Sequence, residues 1–226
     1  MQRPLISIVT PTYKETSLKP LSIALEKQSY KNFEWIIINA GETRLKIESK
    51  KITYKIFKSQ KGRGVQLNKG ASLANGNILW FLHADSLPQS TALESICKNI
   101  QTGIPAGAFS LQFDSKQLYF RTISKLATWR SKLTKIPFGD QGIFIKKSTF
   151  YKIGTFPNFP LMEDIALMKN IKNHKYKTII LTETITTSAR RYLKKGPIKT
   201  SLLNNLYQIL YKLGYSPEKI ARYYYG

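Results

Sequence analysis

The sequence predicts an α/β fold, with a mostly parallel sheet of the nucleotide-binding type flanked by helices and a helical C-terminal appendage. Three observations carry this. Over residues 5–85, short apolar or β-branched runs alternate with helical patterns, the order that builds parallel sheets through helical crossovers. The runs are apolar without alternation, as strands covered on both faces require. One of them, Leu79-Trp80-Phe81-Leu82, ends abruptly on His83-Ala84-Asp85. In open α/β sheets ligands bind beyond the carboxyl ends of strands, which places this histidine and carboxylate where chemistry is usually built.

The elements follow in order. Leu5–Thr10 is a first strand that stops at Pro11. Ser17 and Pro20 open a helix with Leu21, Ala24 and Leu25 on one face. Trp35–Ile38 is a second strand closing on Asn39-Ala40-Gly41, and Tyr54–Phe57 a third leading into Lys61-Gly62-Arg63-Gly64. Residues 65–74 form a helix of small residues that Gly76 stops. The strand bearing His83 and Asp85 comes next, and strand alternation puts those two side chains on the same side, where both can ligate a divalent cation. A hydrogen-bonded histidine followed by a helix-capping aspartate would leave the same letters. Beyond it lie a helix over Ser90–Gln101, a strand over Ala106–Phe113, and a helical stripe over 119–133 comprising Phe120, Ile123, Leu126, Ala127 and Arg130. A short strand, Gly142–Lys146, and a helix, Asp164–Asn173, complete a core of about residues 4–190. The tail, about 198–225, is amphipathic and rich in Tyr and Leu. With no repeat and no low-complexity linker, residues 1–226 read as one domain.

Composition sets the class. At 226 residues, 42 % hydrophobic and 12 % aromatic, the chain can bury a full core. Its one cysteine, Cys97, excludes an internal disulfide and a cysteine-based zinc site. The first ten residues lack the apolar core and cleavage site of a signal peptide, and no stretch approaches the ~20 apolar residues of a membrane span. A cytoplasmic location is expected. Thirty-six Lys and Arg against 13 Asp and Glu give a net charge of +23, which favours polyanionic partners. The bases are mostly scattered lysines, which disfavours specific nucleic-acid binding and leaves peripheral contact with an anionic membrane, on its inner face, as the alternative partner.

Four stretches fall into one arrangement. Pro11-Thr12-Tyr13-Lys14-Glu15 ends the first strand and Asn39-Ala40-Gly41-Glu42 the second, His83-Ala84-Asp85 ends the fourth, and Met162-Glu163-Asp164 opens a late helix. This resembles the family 2 glycosyltransferases of the GT-A fold. More narrowly it is similar to the selenodomain-associated transferase 2 group, through GRGVQLNKGA, FLHADS, PFGDQGIF and FPLMED.

The resemblance implies an inverting glycosyltransferase that takes a nucleotide-diphosphate sugar as donor and a hydroxyl acceptor, with a divalent metal, Mn²⁺ or Mg²⁺. It assigns Pro11, Thr12 and Glu15 to the segment along the nucleotide, and Asp85 with His83 to the metal. Asp164 becomes the general base with Glu163 beside it, and Asp140 and Gln141 become acceptor contacts. Arg63, at a helix N-terminus, suits a diphosphate. The chain departs from the pattern at two places. Asn39-Ala40 stands where relatives carry aspartates that accept from the base, and an Asn amide offers a donor as well as an acceptor. His83 replaces the first Asp of the Asp-x-Asp metal signature, which tilts the metal toward Mn²⁺. Three alternatives stay open: a nucleotidyltransferase-like enzyme, although the first loop is not Gly-rich; a noncatalytic nucleotide-sugar-binding protein; and a basic peripheral membrane-binding module.

Overall fold

The computed structural model describes residues 5–49 and 51–225. In chain order the elements are β1 (Ile6–Thr12), α1 (Lys19–Glu26), β2 (Phe33–Asn39), β3 (Tyr54–Lys58), α2 (Arg63–Leu73), β4 (Ile78–Phe81), β5 (Leu87–Pro88) and α3 (Ala92–Gln101). There follow β6 (Ala106–Phe113), α4 (Leu118–Thr134), β7 (Phe144–Lys146), α5 (Lys147–Lys152), α6 (Glu163–Asn173), β8 (Thr178–Thr187), α7 (Arg190–Lys195), α8 (Pro197–Lys212) and α9 (Pro217–Tyr225). The described strands join into one sheet of order β3-β2-β1-β4-β7-β6-β8-β5. β3, β2, β1 and β4 run parallel, β7 is antiparallel to both β4 and β6, and β8 runs parallel to β6. This is the mostly parallel sheet flanked by helices that the sequence predicts.

Side-chain alternation splits the core into two layers. Ile6, Ile8, Trp35, Ile37, Ile78 and Trp80 face α1 and α3 through Leu21, Leu25, Leu93 and Ile96. Their neighbours Val9, Ile36, Ile38, Leu79 and Phe81 face α2 and α6 through Leu67, Ala71, Leu167 and Met168. Close packing of α2 on the sheet requires Gly70, because a β-carbon there would stand 2.2 Å from Val9 Cγ1. The tail docks through Tyr207, Ile220 and Ala221 onto Leu161, Met162 and Ile165 at the start of α6.

Four local expectations need correction. β1 runs through Pro11 to Thr12. β4 has ended opposite Val9, so the missing Pro11 N–H on that edge removes no ladder bond. Ser17 does not cap α1 directly; Leu18 is the N-cap, although Ser17 Oγ accepts from Lys19 N–H at 3.2 Å. β4 ends at Phe81, so His83 and Asp85 are not strand residues on one face. His83 O accepts from Ser86 N–H at 3.1 Å and closes a turn around Ala84-Asp85. Finally, β8 is a ten-residue strand that the periodicity does not reveal.

Candidate active site

A cavity of about 800 Å³ opens beyond the carboxyl ends of the central strands. Arg63, His83, Asp85, Asp140 and Asp164 all line it, so residues from four separate segments meet at one place.

Its floor is built by α6. Met162, the N-cap, adopts a left-handed φ of 69°, turning the chain so that Glu163 points inward and Asp164 into the cavity. Glu163 is 1 % exposed and its Oε1 lies 3.2 Å from Arg63 Nε. Burial holds its carboxyl above the usual range and Asp164 adds to this, while Arg63 opposes the rise. Arg63 reaches this position because the start of α2 is locked onto the loop before α6. Asn68 exchanges two hydrogen bonds with the Phe156 backbone, at 2.8 and 3.1 Å, and a β-carbon on Gly64 would meet Pro157 O at 2.6 Å. The first arginine of α2 is thereby tied to the acid before Asp164.

Asp164 is oriented by two backbone donors, Gly139 N–H to Oδ2 at 2.6 Å and Ile165 N–H to Oδ1 at 2.7 Å. A β-carbon on Gly139 would stand 3.0 Å from His83 Nε2 and 3.3 Å from Asp164 Oδ2. Only glycine lets the imidazole and the carboxylate share this space. Burial first, then Arg63, pushes the His83 pKa down to about 3, so the ring is neutral near pH 7 and able to bind a cation. Asp85 is exposed on its turn. Crowding around the cavity mouth raises its carboxyl, and Arg190 and Arg63 pull the other way.

Asp140 and Gln141 are neighbours in sequence with opposite fates. Gln141 is fully buried: its Nε2 donates to Phe109 O at 2.9 Å, and its Oε1 accepts from Ser131 Oγ at 2.7 Å and Phe138 N–H at 3.2 Å. That amide holds the loop and has no reach into the cavity, which corrects its reading as an acceptor contact. Asp140 Oδ1 is buried without a hydrogen bond among the described residues. Burial and then Asp164 push its pKa up to about 6 against the pull of Arg130.

The residues expected to meet the nucleotide lie at and just beyond the ends of β1 and β2. Thr12 and Asn39 are buried there, and Glu15 accepts from Tyr13 N–H. Asn39 does not present its amide outward. Oδ1 accepts from Gly41 N–H at 2.9 Å and Thr12 Oγ1 at 3.3 Å, and Nδ2 donates to Thr43 O at 3.1 Å. Gln66 ties the two strand ends together through Thr12 O and Ile38 O, at 2.9 and 2.7 Å.

One site residue was not singled out for chemistry by the sequence. Arg130 comes from the α4 stripe, with its guanidinium 3.4 Å from the Phe138 ring centroid and donating to Gln208 Oε1 at 3.1 Å. Its signal was a charge inside an apolar helical pattern. Tyr192 of α7 also lines the cavity, held by Asn204 Nδ2 at 3.1 Å.

Among the described residues no group of three or more His, Cys, Asp or Glu side chains stands ready for a metal ion. The chain itself supplies a neutral imidazole and one exposed carboxylate at the cavity. That donor set fits a divalent cation which takes its remaining oxygens from a bound diphosphate and water.

The fold and this site define a glycosyltransferase. The chain belongs to glycosyl transferase family 2, whose sequence model matches residues 7–156. It is 25 % identical over 214 residues, 85 % of each chain, to a Haemophilus influenzae protein described as an uncharacterized glycosyltransferase. Solved structures of similar fold include the mannosyltransferase PcManGT from Pyrobaculum calidifontis, in complex with GDP-Man and Mn²⁺. It is 16 % identical with a TM-score of 0.63, over 82 % of this chain and 57 % of that one. S. aureus TarS 1–349 in complex with UDP is 14 % identical with a TM-score of 0.62, over 81 % of this chain and 60 % of that one. The chain thus spans less than two thirds of either solved protein. Among the described residues no helix is long and apolar enough to cross a membrane.

Proposed function

We propose that the chain transfers a sugar, with inversion, from a nucleotide-diphosphate sugar to a hydroxyl acceptor, assisted by a divalent cation. The observation that carries this reading is the convergence of Asp85, Asp140, Glu163 and Asp164 with Arg63 and Arg130 around one cavity at the strand ends. An acid held in place by backbone donors, Asp164, with fixed guanidinium groups around the same cavity suits a reaction in which a hydroxyl loses a proton as a diphosphate departs.

In this reading Asp164 takes the acceptor proton, its carboxylate aimed by the Gly139 and Ile165 N–H groups. Glu163, buried against Arg63, fixes that guanidinium beside the departing diphosphate. Asp140, with its pKa pushed up to about 6, donates a hydrogen bond to a sugar hydroxyl below that pH and accepts one above it. Asp85 and His83 would hold the cation, which when bound neutralises charge on the diphosphate. Thr12, Glu15 and the loop that Asn39 builds flank the nucleotide. PcManGT carries GDP-Man and Mn²⁺, and TarS has been solved with UDP and with UDP-GlcNAc, which supports a nucleotide-sugar donor here. The single unpaired Cys97 supports a reducing, cytoplasmic setting.

Thermal shift with GDP- and UDP-sugars, with and without Mn²⁺, tests the proposal. A ligand at ~100 times its Kd adds about 2.7 kcal/mol to stability. Asp85→Ala is expected to lose the metal-dependent part of that gain while folding normally. Full metal-dependent stabilisation in the alanine variant would overturn the metal assignment, and no response to any nucleotide-sugar would overturn the transferase reading.

A further inference from the structure

We propose that the acceptor is a membrane lipid, with its hydroxyl head at Asp164 and its apolar chain lying along α4, delivered while α4 and α8 rest on an anionic bilayer. The proposal rests on the transferase reading above and adds the acceptor's chemical class.

The cavity does not end at the acids. It continues as a channel between α4 and α8, helices linked by Arg130 to Gln208 and by Tyr119 Oη to Ser201 Oγ at 2.9 Å. Along α4 its wall includes Ile123, Leu126, Ala127 and Trp129, while α8 faces them with the polar Ser201, Asn204 and Gln208. A hydrocarbon chain gains by burying its methylenes against this α4 wall. The channel's outer border is also apolar. Leu126 is 58 % exposed and Trp129 62 %.

The helices beside this opening carry apolar stripes that nothing among the described residues covers. On α8, Ile198, Leu202, Leu206, Ile209 and Leu213 recur at four- and three-residue steps, which places them on one face. Each is between 47 and 71 % exposed. The opposite side of α8 packs inward through Tyr207, so the stripe is not simply the core face of a docked helix. On α4, Leu118 and Leu133 extend the line of Leu126 and Trp129.

Charge selects the occupant. Residues 115–139 and 184–217, which span α4, α7 and α8, contain six Lys or Arg each and no Asp or Glu. Arg121, Lys125 and Lys132 on α4 and Lys194, Lys195 and Lys199 around the start of α8 are exposed. Two copies meeting through this face would oppose like charges. An anionic lipid surface is attracted to the lysines and also covers the leucines.

The chain carries its own reporter. Trp35 and Trp80 are fully buried, so a change in indole emission on lipid contact comes from Trp129. The full chain is expected to float with vesicles of phosphatidylcholine containing phosphatidylglycerol and not with phosphatidylcholine alone, and its emission to shift to shorter wavelength. The combined variant Leu202→Ser, Leu206→Ser, Ile209→Ser should weaken vesicle binding at least ~10-fold while GDP and UDP binding persists. For the channel, a brominated dodecyl glycerol ether below its micelle concentration should quench Trp129. Ala127→Phe, and Leu126→Asp at an exposed position that tolerates polarity, should each weaken that quenching about tenfold.

Flotation unchanged in the serine variant, a stable dimer by light scattering that shields Trp129, or quenching indifferent to both channel variants would overturn the proposal. If nucleotides bind while vesicles and the ether do not, the lipid inference alone fails. If the ether binds and no nucleotide does, the transferase reading fails instead.

Discussion

The nucleotide side and the acid-lined floor of the cavity are both built from polar residues at strand and helix ends, yet they handle those residues in opposite ways. Near the ends of β1 and β2, the amides of Asn39 and Gln66 are committed to backbone partners. At the floor, Asp140 Oδ1 and Arg130 Nε are buried without hydrogen bonds among the described residues, and the Glu163 carboxylate meets only the Arg63 guanidinium. Leaving a buried polar atom unmatched costs about 1–3 kcal/mol. A fold that matches one set and not the other keeps the second available to a ligand. At the ends of β1 and β2 polar residues shape backbone; on the floor Asp140 and Arg130 each keep a buried polar atom uncommitted among the described residues.

The comparison breaks most visibly at Asp164. Asparagine there keeps shape and an acceptor for Gly139 N–H but cannot take a proton. Turnover should fall ~10²–10⁴-fold with donor affinity near wild type. A helix-dipole role would instead cost only about 0.3–1 kcal/mol of stability and leave turnover intact. Steady-state kinetics with a melting curve on the same sample separates the two. Wild-type turnover would remove Asp164 from the chemistry.

Gln141 and Asp140 sharpen the contrast within two consecutive residues. Gln141→Leu strands Phe109 O and Phe138 N–H, while the Ser131 hydroxyl keeps Ala127 O, and should destabilise by about 3 kcal/mol in urea unfolding. Asp140→Asn removes a carboxyl that folding already disfavours, so it should cost activity and little stability. Equal losses from both would mean that Asp140 is a structural residue too.

These differences explain what could be read from the chain. β1, β2 and β6 declare themselves because both faces are buried and the runs are unbroken; β6 spans the very residues expected, Ala106–Phe113. β8 stays hidden because its register against β6 jumps between Phe109 and Ser110, from Leu181 to Thr184. That bulge breaks the two-residue period on which strand reading depends. The carboxylates were legible because they sit where chain direction changes, at strand ends and a helix start. Arg130 was not, since it reaches the cavity from a helix far along the chain, and no local pattern records that meeting. Nor could spacing tell that Gln141 faces inward while Asp140 borders the cavity. That depends on the Gly139–Gln141 turn and the Ser131 hydroxyl across from it.

A smaller effect comes from proton linkage, with His83 and Asp140 working in opposite directions. Folding lowers His83 from 6.5 to about 3. Its contribution is therefore present above about pH 6.5 and lost as pH falls toward 3. Folding raises Asp140 from 3.8 to about 6, so its contribution is present below about pH 3.8 and lost as pH rises through 6. Between those limits the two slopes offset each other. Relative to wild type, His83→Gln should gain stability as pH falls, and Asp140→Asn should gain as pH rises to 6, each by on the order of 2 kcal/mol. Urea midpoints across this range, with chelator present, test it. Curves for the three proteins that stay parallel would show that neither group titrates as its surroundings imply.

The smallest change tests the nucleotide side. Asn39→Asp introduces the carboxylate that the family resemblance leads one to expect at this loop. Both acceptor contacts, from Gly41 N–H and Thr12 Oγ1, survive the change. The donor to Thr43 O is lost, and a negative oxygen takes its place facing that carbonyl. A half-buried carbonyl without its donor costs about 1 kcal/mol, so a modest fall in urea midpoint is expected, larger above the carboxyl's pKa than below it. Nucleotide affinity discriminates further. If Asn39 serves only to shape the loop, GDP and UDP should weaken together and slightly, as the loop relaxes. If the side chain instead turns outward to meet a base edge, the carboxylate should favour one nucleotide over the other by ~10-fold or more. Selective tightening of that size would place Asn39 among the residues that await a ligand and remove the contrast between the two regions at its most conspicuous position.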